Sequence, residues 1–372
     1  MKHKIIRAST ISMSVIFVEG MLPEMMKQYE VVLLSSPGHE LDEAEKKYGV
    51  RGIRIPMERH IAPIQDLVSL WKLIRTFRRE KPRMVHSMTP KAGLLCMMAA
   101  KLARVPVRVH TFTGLVFPTA TGLKRRILMF TDWLTCACAT HVIPEGKGVM
   151  ADLRNNGITK KPMKVLGDGS VKGIDLKRFH GRRNANRSEK FTFLFVGRIV
   201  RDKGINELVE AFVRLNEKFH QTRLVLVGTI EDELDPVSNK TLESIKNNSD
   251  IESIGWTTGD ALVDFYAAAD CYVFPSYREG FPNTVLEAGA MGLPCIVTDI
   301  NGSREIIEEG RNGVVISPRD SSALYQAMEH MITDTDAREQ MAATARESIA
   351  SRFDQDFVRQ YLLNFYDEIL YV

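Results

Sequence analysis

Short β-rich runs alternate with helical patterns twice over in this chain, and that doubled alternation constrains the fold more than any other feature. The first series reads KIIRAST, a helical pattern from Val15 to Gln28, YEVVLLSS, a helix near Leu41 to Tyr48, and GIRIPM. It continues with a helix from Ile64 to Arg79, MVHSM, the Ala/Met/Leu-rich helix Gly93 to Ala103, and VRVHTF. Apolar strands separated by helices predict a doubly wound parallel sheet, because parallel strands need crossover connections that cover both faces. A second series follows: FTFLFVG, a helix from Ile205 to Phe219, RLVLVG, a helix near Lys240 to Asn247, and IESIGW. A helix from Ala261 to Ala268, CYVFPS, the helix after Asn283 and PCIVTD complete it. Between the two, Gly167 to Lys190 is rich in Gly, Asn, Arg and Lys with no sustained apolar period, which marks a boundary. The expected domains are residues 1–180 and 181–353. A last helix, 354–372, carries Phe357, Tyr361, Leu362, Phe365 and Ile369 at helical spacing and is expected to pack back on the first domain. The fold class is α/β, with two Rossmann-like halves facing a central cleft that ligands reach from the carboxyl ends of the strands.

Composition narrows the function classes. A chain of 372 residues suits two domains, and 44% hydrophobic with 26% charged is ordinary for a soluble protein. The 50 basic and 46 acidic residues leave a net charge of +4, too slight to suggest a nucleic-acid partner. Cys96, Cys136, Cys138, Cys271 and Cys295 are scattered, with no CxxC pair and no His cluster at metal-ligand spacing, so a reduced cytoplasmic protein is expected. The start, MKHKIIRASTISMSVIFVEG, is basic, but Arg7 and a run of Ser and Thr interrupt its apolar residues, and it reads poorly as a secretion signal. No run approaches the roughly 18 to 20 apolar residues of a spanning helix, so any membrane contact is expected to be peripheral, on the cytoplasmic face.

Two loops carry chemistry. In GRIVRDKG, Gly197 and Gly204 frame Arg198 and Lys203 just before a helix, and two cations beside a helix N-terminus match a diphosphate. The order is not the GxxxxGK[ST] of a P-loop, and for either residue alone a solvated surface cation is the competing reading. In REGFPNTVLEAGAMGLP, Arg278 to Pro294, Glu279 ends a loop and Glu287 falls in the first turns of the next helix. Gly280, Phe281, Pro282 and Asn283 bring exposed backbone to that helix start, as phosphate binding requires. Thr284 and Glu287 also have the spacing of a capping box, the reading that spacing alone favours.

GRIVRDKG and, further along, FPSYREGFPNTVLEAGAMGLPCIVTD together resemble the donor-binding domain of retaining glycosyltransferases of family 4, which have the GT-B fold. The two glutamates match that family's E-x7-E signature. VHSMTPKAGLLCMMAAKLARVPVRVHTFTG, Val85 to Gly114, resembles the acceptor domain of bacterial members that build polysaccharides or glycans on a lipid carrier. The resemblance implies that Arg198 and Lys203 hold the nucleotide diphosphate, Glu279 faces the donor sugar and Glu287 binds the ribose hydroxyls. It places Thr257, beside Trp256, at the edge of the nucleotide pocket, with a core position the competing reading for Trp256. His110 would lie beside the donor sugar, with His86 and Lys91 on the acceptor side. The glycine-rich loop that some relatives carry after the first strand is absent, since STISMSVIFVEG holds only Gly20. Asp334-Thr335-Asp336 spells the DxD of a different transferase fold but precedes a helical pattern, where capping explains it. With cations already opposite the diphosphate, neither metal nor other cofactor is expected.

The implied activity is transfer of a hexose or N-acetylhexosamine from a UDP-sugar to a polyprenyl-diphosphate-linked sugar, with retention, in capsule, lipopolysaccharide or other glycan biosynthesis. The alternatives are a sugar-nucleotide epimerase of the same architecture and a non-catalytic sugar-nucleotide binding subunit. Two segments are candidates for peripheral inner-membrane contact. In Ile64 to Arg79, Leu67, Leu70, Trp71, Ile74 and Phe77 share one face opposite Lys72, Arg75 and Arg79; Lys124-Arg125-Arg126 precedes Ile127 to Phe130. A crossover helix packed on the sheet is the favoured alternative for the first.

Overall fold

The computed structural model describes residues 2–58, 60, 62–181, 188–231 and 235–371. Its internal contacts divide the chain into two units: Gly173–Asp354 forms one, and the chain on either side of it forms the other.

The first unit holds β1 (Lys4–Ala8), β2 (Glu30–Ser35), β3 (Arg51–Arg54), β4 (Met84–Met88), β5 (Val107–Phe112) and β6 (His141–Pro144). They form one parallel sheet in the order β3-β2-β1-β4-β5-β6. Side chains alternate across it. Ile6, Ala8, Val32, Leu34 and Val85 pack with Leu73 and Phe77 of the Pro63–Glu80 helix and with Ala92, Cys96 and Ala99 of the Pro90–Leu102 helix. Ile5, Val31, Leu33, Met84 and Val109 pack instead with Val358, Leu362 and Tyr366 of the final helix, Gln355–Leu370. The final helix therefore belongs to the first unit and covers the second face of its sheet. Burial on both faces is why these strands read as unbroken apolar runs.

The second unit holds β7 (Phe191–Val196), β8 (Thr222–Val227), β9 (Ile251–Gly255), β10 (Cys271–Phe274), β11 (Cys295–Thr298) and β12 (Gly313–Ile316), in the order β12-β11-β10-β7-β8-β9. Both sheets share one topology, in which the strand order reverses beside the first strand of each unit. Loops that leave the carboxyl ends of β1 and β4, or of β7 and β10, diverge to opposite faces and open a crevice between them.

The helical pattern Val15 to Gln28 is not one helix. It breaks into a 3-10 turn, Ser12–Val15, and helices Ile16–Glu19 and Leu22–Gln28. Pro23 lies in the first turn of the last of these, where its missing N–H costs nothing, so it starts a helix where the apolar pattern ran straight through. The basic run Lys124–Arg126 opens a long helix, Gly122–Cys138.

Candidate active site

The crevice between β7 and β10 gathers both loops singled out in the sequence. Glycine makes their close approach possible: Gly204 adopts φ 72°, and a Cβ there would collide with the carbonyl of Pro275. Four contacts sew the loops together. The Tyr277 amide donates to the Asp202 carbonyl at 2.8 Å, Arg278 Nε reaches Asp202 Oδ2 at 3.1 Å, and Ser276 Oγ donates to the Asp202 carbonyl at 3.2 Å. Lys203 Nζ pairs with Glu279 Oε1, which also accepts from Ser276 Oγ at 2.8 Å. Both partners of that pair are largely buried, at 19% and 17% side-chain exposure, whereas Arg198 is half exposed and bridges to Glu231 at 2.6 Å.

Beyond Glu279 the chain enters the Asn283–Ala290 helix. Pro282 holds its N-cap position, and no side chain caps it, so its first amides have no partner within the helix. An N-terminus of this kind attracts anions. Thr284 is already inside the helix, so the capping box suggested by Thr284 and Glu287 does not form. Glu287 Oε2 instead accepts from the Tyr266 hydroxyl at 2.9 Å. Tyr266 lies on the Gly259–Ala268 helix and is fully buried. Burial, and then the Glu287 charge, hold its phenol well above the ordinary value, so it remains a donor. Within GFPN the residues contribute differently. Pro282 has no N–H, and the Phe281 ring is buried against Phe353 at 5.3 Å, leaving Gly280, Phe281 and Asn283 as backbone donors. Thr257 is half-buried, and Trp256 is 69% exposed, which removes the core reading for Trp256. Asp334 caps the Thr335–Phe353 helix by accepting the Ala337 amide at 3.0 Å.

In the first unit the structure buries both His86 and His110. His86 is 1% exposed and sealed in a network: Nδ1 lies 2.5 Å from Arg7 and 2.6 Å from the Tyr366 hydroxyl, and Nε2 lies 2.7 Å from Thr111 Oγ1. These bonds tie the final helix to the sheet. His110 is likewise 1% exposed, bonded through Nδ1 to Ser87 Oγ at 2.9 Å and set edge-on to Phe112. Gly93 roofs it so closely that a Cβ would collide with the ring. Desolvation pushes the His110 pKa down to about 3. Burial thus keeps the His110 imidazole neutral on β5. Lys91 forms an ion pair with Asp66 at 2.6 Å and donates to the His60 carbonyl at 2.7 Å. At the β1/β4 crevice, Thr89 takes φ 72°, an outlier for a β-branched residue, and its Oγ1 lies 2.7 Å from Thr10 Oγ1.

Sequence reasoning did not single out Tyr266, Ser276 or Asp202. Ser276 stands three residues before Glu279 in FPSYRE and was open to notice. Tyr266 reaches Glu287 from another helix, which no spacing reveals.

Two Rossmann-like units define the GT-B glycosyltransferase architecture, and solved structures match it over the whole chain. The Anabaena protein Alr3699/HepE, in complex with UDP and glucose, superposes with a TM-score of 0.80 at 17% identity, covering 99% of this chain and 100% of that one. Residues 177–348 match the family model of glycosyl transferases group 1, and residues 16–169 that of the glycosyl transferase 4-like domain. The chain is 30% identical over 377 residues to the capsular polysaccharide biosynthesis glycosyltransferase CapM of Staphylococcus aureus, covering 99% of this chain and 98% of CapM. It is 29% identical over 326 residues to the UDP-Gal:alpha-D-GlcNAc-diphosphoundecaprenol alpha-1,3-galactosyltransferase of Escherichia coli, covering 82% and 80% of the two chains. The chain belongs to this glycosyltransferase family and is itself a glycosyltransferase.

Proposed function

We propose that the protein moves a hexose or N-acetylhexosamine from a UDP-sugar onto a sugar carried by a polyprenyl diphosphate, with retention of anomeric configuration, in capsular or other lipid-linked polysaccharide assembly. The observation that carries the reading is the β7/β10 crevice, where Lys203, Glu279 and the open N-terminus of the Asn283–Ala290 helix meet. The relatives' names support the acceptor class, since one is a capsular transferase and another acts on a diphosphoundecaprenol-linked sugar.

In this reading the bond from the anomeric carbon to the β-phosphate breaks, UDP leaves, and an acceptor hydroxyl forms the new glycosidic bond as its proton is lost. Arg198, Lys203 and the backbone amides of Gly280, Phe281 and Asn283 stabilise the charge that grows on the leaving diphosphate. Glu279 addresses the sugar and Glu287 the ribose, because a carboxylate accepts strong hydrogen bonds from neighbouring hydroxyls. Thr257 borders the base. Fixed cations serve the leaving group in place of a metal, and acceptor delivery is peripheral to a membrane. Incubation with a panel of UDP-sugars, following UDP release with and without a polyprenyl-diphosphate-linked sugar, tests the reading. Acceptor-dependent release is expected; conversion of the sugar without acceptor, or binding without turnover, would overturn it.

A further inference from the structure

Tyr266 is fully buried, yet its hydroxyl meets a carboxylate: Glu287 Oε2 at 2.9 Å, with the Thr284 carbonyl at 3.4 Å as a second, longer contact. The bond crosses from one helix to the next. Tyr266 belongs to Gly259–Ala268, which follows directly on Trp256 and Thr257, and Glu287 belongs to Asn283–Ala290, which follows on Glu279. One hydrogen bond thus links the two elements that border the expected nucleotide.

We propose that Tyr266 is a positioning residue for nucleoside recognition, holding the Glu287 carboxylate in the orientation that distinguishes ribose from a deoxyribose. The inference rests on the reading that Glu287 binds the ribose hydroxyls. A glutamate on a helix has three side-chain torsions, and binding a diol with it freezes all three. Tyr266 fixes one oxygen before the ligand arrives, so less freedom is lost on binding and the carboxylate meets the diol in a set plane. The tyrosine ring is itself immobile, packed edge-on to Phe179 at 6.1 Å and tilted against Tyr272 at 5.9 Å. Its phenol stays protonated through the working pH range, so it always donates to Glu287 Oε2 and leaves the remaining carboxylate lone pairs to accept from the ribose hydroxyls.

A purely structural bond would predict a different outcome. If Tyr266 and Glu287 only clamp two helices together, removing the hydroxyl lowers the melting temperature and leaves ligand discrimination untouched. The test is Tyr266→Phe, which keeps the buried ring, beside Glu287→Gln and the double variant. For each, calorimetric affinity is measured for UDP, 2′-deoxy-UDP and 3′-deoxy-UDP, with melting temperature alongside. Losing a hydrogen bond to a charged group is expected to weaken UDP binding by about tenfold in Tyr266→Phe while changing the affinity for at least one deoxy analogue by under about twofold. The effects of the two single changes on UDP should not add in the double variant, since both act through one carboxylate. If Glu287→Gln weakens UDP binding but Tyr266→Phe leaves the UDP to deoxy-UDP ratios at their wild-type values, the positioning role is overturned and the ribose reading stands. If Glu287→Gln itself leaves UDP affinity unchanged, the ribose reading fails and takes this inference with it.

Discussion

Lys203 and Glu279 stand 76 residues apart in sequence and form an ion pair at the point where the strand order of the second sheet reverses. The pair joins a cation expected to meet the diphosphate with a carboxylate expected to meet the sugar. Without ligand, each neutralises the other in a site where an isolated charge would be costly.

Lys203→Ala should therefore act twice, removing a phosphate contact and leaving Glu279 without its counter-ion. UDP affinity is expected to fall by roughly ten- to a hundredfold, as for the loss of a charge-assisted bond worth about 1.5 to 3 kcal/mol. Arg198→Ala should cost less, because Arg198 is half exposed and already bridged to Glu231. Calorimetric titration of UDP into both variants checks the order; equal, unaltered affinities would remove the anion site.

The two glutamates should separate kinetically. Glu287→Gln should weaken UDP and UDP-sugar alike, because the ribose is common to both. Glu279→Gln should leave free UDP binding nearly intact and lower turnover, since its partner exists only in the intact donor and at the reacting centre. A Glu279→Gln enzyme with wild-type turnover would refute that division.

The strand and helix alternation was legible because both faces of each parallel sheet are buried, which writes apolar runs directly into the sequence. What escaped did so for physical reasons. The break within Val15 to Gln28 was hidden because proline is tolerated in a first helical turn and leaves the apolar pattern intact. The capping reading of Glu287 failed because the helix begins one residue before Thr284, and a one-residue shift of a helix start changes what each side chain can reach. The burial of His110 was not legible, since its place beside the donor sugar was implied by the family resemblance and by no pattern around it. Its enclosure depends on Gly93, a residue 17 positions earlier whose missing side chain matters only once a helix lies across the strand. The loops of the proposed anion site were visible in sequence; the Asp202 and Ser276 bonds that sew them together were not.

Acid should destabilise the first unit through its buried histidines. Burial lowers the His110 pKa to about 3, and burial, followed by the charge of Arg7, holds His86 well below its ordinary value of 6.5. In the window between about 6.5 and the depressed folded values, the unfolded chain binds more protons than the folded one, so stability falls as pH falls. Two pH units inside that window correspond to about 2 to 3 kcal/mol for one such histidine. Urea midpoints at pH 7.5, 6.5, 5.5 and 4.5 should drop progressively. His110→Gln should flatten that slope, and an unchanged slope would show that His110 does not stay neutral.

Turnover is expected to survive excess EDTA. Asp334, the first acid of the DTD triplet, is occupied in capping a helix, while Lys203 and Arg198 supply positive charge at the proposed diphosphate site. Complete loss of activity on chelation, restored by magnesium or manganese, would require a metal at the diphosphate after all.

The last prediction concerns the outer surface of the first unit. The sequence placed Leu67, Leu70, Trp71, Ile74 and Phe77 on one face, and the structure divides them. Leu73 and Phe77 enter the core, Leu70 and Ile74 pack at its margin, and Leu67 and Trp71 join Ile64 and Val68 in an exposed apolar stripe. The Gly122–Cys138 helix shows a second stripe, with Leu123, Ile127, Phe130 and Trp133 exposed and Phe130 stacked on Trp133. Both helices pack against Pro90–Leu102, so the stripes lie on one helical layer. Cations border them: Arg75 lies over Trp71 at 5.6 Å, and Lys124 and Arg126 are exposed, whereas Arg125 is bonded to Asn156. Exposed tryptophan beside arginine and lysine suits the interface of an anionic bilayer. Among the described residues no helix is long and apolar enough to cross a membrane, so the contact proposed is a surface one. Vesicles containing anionic lipid should recruit the protein in a salt-sensitive way, with Lys124 and Arg126 contributing about 1 kcal/mol each. Trp71→Ser with Trp133→Ser should abolish recruitment while leaving the melting temperature nearly unchanged, because both side chains are about half exposed and neither anchors the core. Equal sedimentation with anionic and neutral vesicles, or full recruitment of the double variant, would leave the two stripes without a membrane role.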